Sequence, residues 1–300
     1  LVSKGVVYVG SADTNFYALD AQTGNLKWKF TTADKILGGA NVVGSQIIFG
    51  SYDGKLHCLD AATGRELWNY PTDSYINGAP AVVDGKIVFG GCDAKIHVVS
   101  AFDGKKLEEI ETGSYIAGSV AVAGDRAYVG HYGNQVLCVD LTRSTNVWAF
   151  NERKFPYFSS PAVSDKYVVI GSRDKRLYCL NRETGKAMWG FPTQGDVDSS
   201  PVICGDQVIV GSKDGRLYMV NLADGKEKWS YEIGKALTAS PAIASGNYIG
   251  INEPAKEIFG KVMSVSDDLM YRYYELVSAV SLDNLQKIKD DINTGALHPM

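Results

Sequence analysis

Nothing in the 300 residues supplies a basic surplus. Thirty Lys and Arg stand against 34 Asp and Glu, for a formal net charge of −4 and a pI near 5.6. A nucleic-acid binder carries a basic footprint, so no nucleic-acid partner is expected. Long apolar runs are missing too. No stretch approaches the ~18 uninterrupted apolar residues that a membrane-spanning helix needs, and no span is expected. Cysteine is scarce and odd in number, at five, so at least one thiol stays unpaired within a monomer. Cys58, Cys138 and Cys179 share one repeat position, which Ala18, Val98 and Met219 fill elsewhere. A position that accepts all four residue types is a packed core site, where free Cys acts as a small hydrophobe rather than a ligand. The chain opens on Leu1 without a charged-then-apolar leader, and any export signal is expected to have been removed already.

Glycine and tyrosine are plentiful, at 32 and 17, and they are periodic. A glycine closes an apolar run at Gly10, Gly50, Gly90, Gly130, Gly171 and Gly211. A tryptophan recurs at Trp28, Trp68, Trp148, Trp189 and Trp229, with Glu108 as the one substitute. Both series step by 40, with a single 41 between the fourth and fifth units. Two unrelated landmarks with one step define a repeat architecture.

Residues 160–191 show the unit plainly. Ser160 to Ser164 reads as a strand, Asp165-Lys166 as a turn, and Tyr167 to Gly171 as a β-branched run buried on both faces. Asp174 holds a polar turn through its side chain. Arg176 to Asn181 alternates at period two, Glu183-Thr184-Gly185-Lys186 is a hairpin turn, and Ala187 to Phe191 is a last strand. Four short strands in about 40 residues make one propeller blade. The expected fold is therefore all-β, a β-propeller of about six four-stranded blades within residues 1–246. The first unit lacks the Ser-Pro lead-in, and a seventh lead-in, Ser240-Pro241-Ala242-Ile243-Ala244, has no blade after it. The late strand is expected to lie beside the incomplete first blade and close the ring; the competing reading is an open fragment of a larger propeller.

After Gly246 strand logic gives way to helix logic. Asn252-Glu253-Pro254 starts one helix, Ser266 caps a second and Ser281 a third, with Gly295 as the stop. Residues 247–300 are expected to form an α-helical tail, whose Leu269, Tyr273, Leu276 and Val280 make an apolar face. That face is covered either by the propeller or by the tail of a second molecule, so tail-mediated self-association is possible.

The stretch Ala18-Leu19-Asp20-Ala21-Gln22-Thr23-Gly24 through Trp28 resembles the tryptophan-docking motif of PQQ-type propellers, and Asp60 to Trp68 and Asn181 to Trp189 carry it too. The resemblance implies that Trp28, Trp68, Trp148, Trp189 and Trp229 dock blade to blade. Repeat four lacks the motif glycine and repeat three lacks the tryptophan. That family has two branches. Quinoprotein dehydrogenases bind PQQ and calcium; a bacterial outer-membrane assembly lipoprotein and its like use the propeller as a scaffold. The dehydrogenases usually carry vicinal cysteines and inserted ligand loops, and neither is present here. No cofactor or metal is therefore expected, and the resemblance places the chain in the bacterial cell envelope or periplasm. Gly246 through Met270, Tyr271 to Leu276 and Gly295 to Met300 resemble the segment after the Lys-Met-Ser-Lys-Ser loop of bacterial tyrosyl-tRNA synthetase. Neither that loop nor the His-Ile-Gly-His type signature occurs, so aminoacylation is not expected.

Residues five and three positions before the Ser-Pro proline point towards the propeller mouth, as the family resemblance implies. They vary between repeats: Tyr75 and Asn77, Tyr115 and Ala117, Pro156 and Phe158, Asp196 and Asp198. Between them Ile76, Ile116, Tyr157, Val197 and Leu237 read as core. Variable, partly aromatic positions on a rigid frame suit a binding face, with ordinary solvated turns as the alternative. His131 belongs to the same shell; with no nucleophile or second base beside it, a structural role is expected. His57 and His97 share a strand position with Tyr17, Tyr178 and Tyr218 and read as packing residues. The chain is expected to be a non-catalytic binding scaffold with a protein partner, the alternative being a PQQ-dependent dehydrogenase of an alcohol or sugar.

Overall fold

The computed structural model describes residues 1–241. Twenty-four strands form six four-stranded antiparallel sheets, each built from four consecutive strands in chain order. The expected helical tail at 247–300, and Ala242 to Ala244 of the seventh lead-in, lie outside the described residues.

In the fifth sheet the strands run Ala162–Val163, Tyr167–Ser172, Arg176–Asn181 and Ala187–Pro192. The first is shorter than its sequence suggests, the Ser160 N–H being engaged by the next blade, as described below. Val168, Val169 and Ile170 are fully buried, as an apolar run covered on both faces must be. Gly185 turns the hairpin at φ 68°, a conformation that side chains with a Cβ disfavour.

Burial is organised between sheets rather than within them. Phe16, Ile36, Phe49 and Leu59 join the first two sheets, and Ile48, Ile76, Phe89 and Val99 the next two. Val88, Ile116, Val129 and Val139 continue the series, then Cys138, Tyr157, Ile170 and Leu180, then Cys179, Val197, Val210 and Val220. Each cluster draws on two neighbours, so no blade could keep its core alone. Cys58, Cys138 and Cys179 are fully buried and unpaired, each opposite its own blade's tryptophan. Burial pushes the thiols up, to about 12 for Cys58 and Cys179 and about 11 for Cys138, as packed inert cysteines require.

The tryptophans define the joint. Trp28 lies over Gly64 of the next blade, so close that a Cβ there would sit 2.6 Å from the indole. Trp68 covers Gly104, Trp148 covers Gly185 and Trp189 covers Gly225 in the same way. Three of these indoles donate to a backbone carbonyl beside that glycine: Trp28 to Ala61 at 3.1 Å, Trp148 to Arg182 at 2.9 Å and Trp189 to Leu222 at 2.9 Å. The indole N–H of Trp68 is buried without an acceptor among the described residues. The rings are half-buried, not enclosed. The two irregular repeats turn out to be one irregular joint. Glu108 stands where the tryptophan should be, and Ser144, at φ 55°, where the glycine should be; the Ser144 hydroxyl donates to Glu108 at 3.3 Å.

A second chain of contacts runs along the innermost edge. The backbone N–H of Ala79 donates to Ser119 Oγ at 2.8 Å, that of Ser119 to Ser160 at 2.8 Å, that of Ser160 to Ser200 at 2.9 Å, and that of Ser200 to Ser240 at 3.0 Å. The lead-in serine, followed by proline at Ser160, Ser200 and Ser240 and by Val120 at Ser119, is thus a contact to the preceding blade.

Three expectations need correction. The first blade is not incomplete: β1 (Val2–Ser3) pairs with β2 (Val6–Gly10), followed by β3 (Asn15–Asp20) and β4 (Leu26–Thr31). The inner place reserved for the late strand is therefore already filled. Among the described residues Trp229 covers no glycine as the other tryptophans do, and none of them approaches Gly24 within 4 Å. Leu237, read as core, is only half-buried.

Candidate functional site: an aromatic arc at the mouth

Two kinds of segment meet at one end of the sheets. One is the connection leaving an outer strand; the other is the Ser-x-Asp turn between the second and third strands of the next blade. Backbone bonds fasten them: Tyr52 N–H donates to Lys35 O at 2.9 Å, Cys92 to Tyr75 at 2.9 Å, Tyr132 to Tyr115 at 2.9 Å, Arg173 to Pro156 at 3.2 Å and Lys213 to Asp196 at 2.9 Å. Ile76, Ile116, Tyr157 and Val197 point inward, at most 1% exposed, which turns their neighbours outward.

The outward residues form an arc. Lys35 Nζ lies 4.5 Å from the Tyr52 ring centre, and Tyr52 stacks on Tyr75 at 5.0 Å and 10°. Tyr115 meets Tyr132 at 6.4 Å, and Tyr132 meets Phe158 at 4.4 Å. The Arg173 guanidinium sits 3.7 Å above Phe158 and donates both ways to Asp198, at 2.9 and 2.8 Å. Lys213 Nζ closes the series on Asp198 at 2.7 Å and Asp196 at 3.3 Å. Tyr75, Tyr115 and Tyr132 are 50%, 57% and 45% exposed, so the aromatic middle of the arc is open to solvent. Burial pushes the Asp198 carboxyl up, but Arg173 and Lys213 outweigh it and hold the group below the usual carboxylate range.

Of the residues singled out in sequence, Tyr75, Tyr115, Phe158, Asp196 and Asp198 lie in this arc. Asn77 is turned towards Cys92, to whose sulfur its Nδ2 donates at 3.0 Å, while Pro156 takes part through its carbonyl, which accepts from Arg173, and Ala117 offers only a methyl side chain. Sequence reasoning missed the middle residue of the Ser-x-Asp turn: Tyr52, Cys92, Tyr132, Arg173 and Lys213. The signal was available, because that column varies as freely as the positions before the proline while its neighbours are Ser and Asp in four of the six blades.

His131 is not at the open surface; it is 2% exposed. Its reason for being there is local. In five blades the turn aspartate bonds the ring four residues later: Asp13 to Tyr17, Asp53 to His57, Asp93 to His97, Asp174 to Tyr178 and Asp214 to Tyr218. The fourth blade has Gly133 for the aspartate, Leu137 for the ring and His131 for the leading serine. The imidazole fills the vacated space, Nδ1 accepting from Gly133 N–H at 2.9 Å, with Nε2 unpartnered among the described residues. Burial lowers its pKa, so it is held neutral. His57 and His97 do more than pack. His57 lies between Asp53 and Glu66, at 3.1 and 2.7 Å, and His97 bonds Asp93 at 2.8 Å. Burial pushes the Asp53 and Asp93 carboxyls up, and the histidine contacts outweigh that, leaving both below the ordinary value.

Among the described residues no three His, Cys, Asp or Glu side chains converge as a group that could hold a metal ion. No helix among them is long and apolar enough to cross a membrane, which says nothing of a β-barrel.

Comparison with known proteins gives two separate likenesses. The structure of BamB from Moraxella catarrhalis superposes with a TM-score of 0.69 at 22% identity, covering 81% of this chain and 78% of that one. The computationally designed Ika8 protein superposes with a TM-score of 0.72 at 18% identity, covering 80% and 75%. Identities this low speak for the fold alone, a propeller fold. The second likeness is short. The tyrosine–tRNA ligase of Geobacter metallireducens is 62% identical over 55 residues, and that of Syntrophotalea carbinolica 63% over 57. Each match covers 18% of this chain and only 14% of the ligase, in keeping with the synthetase-like segment read near residue 246 onward. The model for outer membrane protein assembly factor BamB matches residues 1–190 and 145–264, and on that span the chain belongs to the BamB family.

Proposed function

We propose that the chain is a non-catalytic binding scaffold whose protein partner docks on the aromatic arc at the mouth. The observation that carries this reading is the run of exposed tyrosines flanked by cations, on turns fastened by backbone bonds to a rigid frame. Aromatic residues and Arg concentrate binding energy at interfaces, and a fixed frame spares the entropy of ordering loops. Family membership favours a role in assembly at the bacterial cell envelope or periplasm. The test compares immobilised wild type with the Tyr75→Ala/Tyr115→Ala variant for recovery of envelope proteins. The protein held by the wild type should bind about 30-fold more weakly to the variant, the scale of a ~2 kcal/mol hot spot. Equal binding would remove the arc from the interface. In the same preparation, PQQ with calcium is expected neither to bind at micromolar concentration nor to support dye-linked oxidation of an alcohol or sugar. Saturable binding with turnover would replace this reading with the dehydrogenase one.

We further propose that residues 247–300 are a separable, synthetase-derived module without aminoacylation activity. Repeat arrays take their stability from neighbour contacts, so an appendage of different origin adds little to them. Residues 1–246 expressed alone should remain soluble, β-rich by circular dichroism and cooperative on melting. Aggregation or a broad transition would mean that the tail completes the architecture and that the boundary is misplaced.

A further inference from the structure

In five blades a carboxylate stands in the turn that leads into the third strand, and in two of them it faces a histidine. Asp53 lies beside His57 at 3.1 Å and Asp93 beside His97 at 2.8 Å, so a proton taken up by either imidazole meets a counter-charge. The fourth blade is arranged the other way. Gly133 removes the carboxylate, and His131 brings a buried imidazole in its place. The Nδ1 atom accepts from the Gly133 N–H at 2.9 Å, so it must stay unprotonated for the turn to close. The Nε2 atom, which then carries the hydrogen, has no acceptor among the described residues. The residues next to the imidazole or bonded to its turn contribute phenols rather than charges. They are Tyr132 on the turn itself, Tyr115 on the connection from the third blade and Tyr157 on the connection leaving the fourth. Of the charged residues along those connections and the neighbouring turn, Glu111, Glu152, Arg153, Lys154 and Asp174, none acts on the imidazole. Gln135, its partner across the strand pair, favours the charged form, but burial outweighs it.

This imidazole sits under the middle of the arc. Tyr132, the next residue, donates its N–H to Tyr115 O at 2.9 Å, and its ring lies 6.4 Å from Tyr115 and 4.4 Å from Phe158. Protonation at Nδ1 turns the acceptor into a donor facing the Gly133 N–H. It also leaves a buried cation without a counter-charge. We propose that His131 is an acid-sensitive latch on the docking face, a proton on its Nδ1 opening the turn 131–134 and withdrawing Tyr132 from between Tyr115 and Phe158. The latch rests on the reading of the arc as the docking face, and it makes that face complete at neutral pH and released in acid. Because burial lowers the pKa in the closed turn, the open turn takes up the proton first. The closed turn is therefore favoured above about pH 6.5 and loses that advantage as the pH falls.

Hydrogen exchange at the Tyr132 and Gly133 amides of the full chain, corrected for the chemical rate at each pH, tests this without a partner. Protection should fall below about pH 6.5 and approach a tenfold loss per pH unit, the slope of an opening linked to one proton. The Arg173 and Lys213 amides make the same backbone bond in turns without a histidine and should keep their protection. The variant Gly133→Asp/His131→Ser/Leu137→Tyr has the common turn and no imidazole, so its protection at Tyr132 should not change with pH in this range. An NMR titration of the wild-type His131 ring is a second measure that needs no variant to fold, and its midpoint should lie below the ordinary histidine value. Protection at Tyr132 that is indifferent to pH in the wild type overturns the proposal. So does an equal loss in the substituted turn, and so does a His131 ring that gains its proton at or above the ordinary value with the turn still closed. None of these outcomes depends on whether Tyr75→Ala/Tyr115→Ala loses docking, so this latch and the docking reading fail separately.

Discussion

Replacing Trp189 with alanine is expected to lower the stability of the propeller by about 3 kcal/mol, the lower end of the range for truncating a packed tryptophan. The lower end applies because the ring is half-buried rather than enclosed. Two losses combine: the indole no longer covers Gly225, and the Leu222 carbonyl loses a donor at 2.9 Å. Trp229→Ala is the internal control. Its ring covers no glycine among the described residues, so in the monomer it should cost less than about 1 kcal/mol. Urea denaturation of both variants at a concentration that keeps the protein monomeric measures the difference. Equal midpoints would show that tryptophan docking does not hold the blades together.

Restoring the common turn residue in the fourth blade alone should do harm. Gly133→Asp puts a Cβ 2.8 Å from His131 Cε1 and 3.0 Å from Ser114 Cβ, and the imidazole is buried and cannot swing away. Overpacking of this kind costs roughly 1–3 kcal/mol. Changing His131→Ser and Leu137→Tyr together with it should recover most of that loss. The serine vacates the pocket, and the new tyrosine gives the aspartate the partner that Tyr178 gives Asp174. The three substitutions are therefore strongly non-additive, since they share one pocket. If Gly133→Asp is harmless by itself, the imidazole does not fill the space as described.

The ladder of blades was readable because its landmarks recur inside each unit, and buried strands such as Tyr167–Ser172 show as plain β-branched runs. The joints were not readable in the same way. Trp28 and Gly64 belong to different units, so a repeat read unit by unit registers Glu108 and Ser144 as two unrelated defects when they are one adapted contact. How far an indole stands proud of the sheet depends on the neighbouring blade, which the spacing within one unit does not show. Val2–Ser3 escaped notice for a simpler reason: two residues are too few to show a period. At the mouth, alternation correctly set Ile76 inward beside Tyr75. It could not show that Tyr52 and Tyr132 come from neighbouring turns to complete the arc, because that depends on backbone bonds between segments distant in sequence.

The inner seam of serines has a consequence for how such a chain grows. The hydroxyls of Ser119, Ser160, Ser200 and Ser240 each serve the amide of the lead-in before, so the amides of Ala79, Ser119, Ser160 and Ser200 are each served by the lead-in after. A unit duplicated from this stretch therefore arrives carrying what its predecessor needs and asking of its successor only what each of Ser119, Ser160, Ser200 and Ser240 already offers, whereas Gly39 and Ala79 bring no hydroxyl. Within that stretch, copying or losing one 40-residue unit leaves no contact of the seam unmet, so recombination between those repeats can change their number without compensating substitutions there.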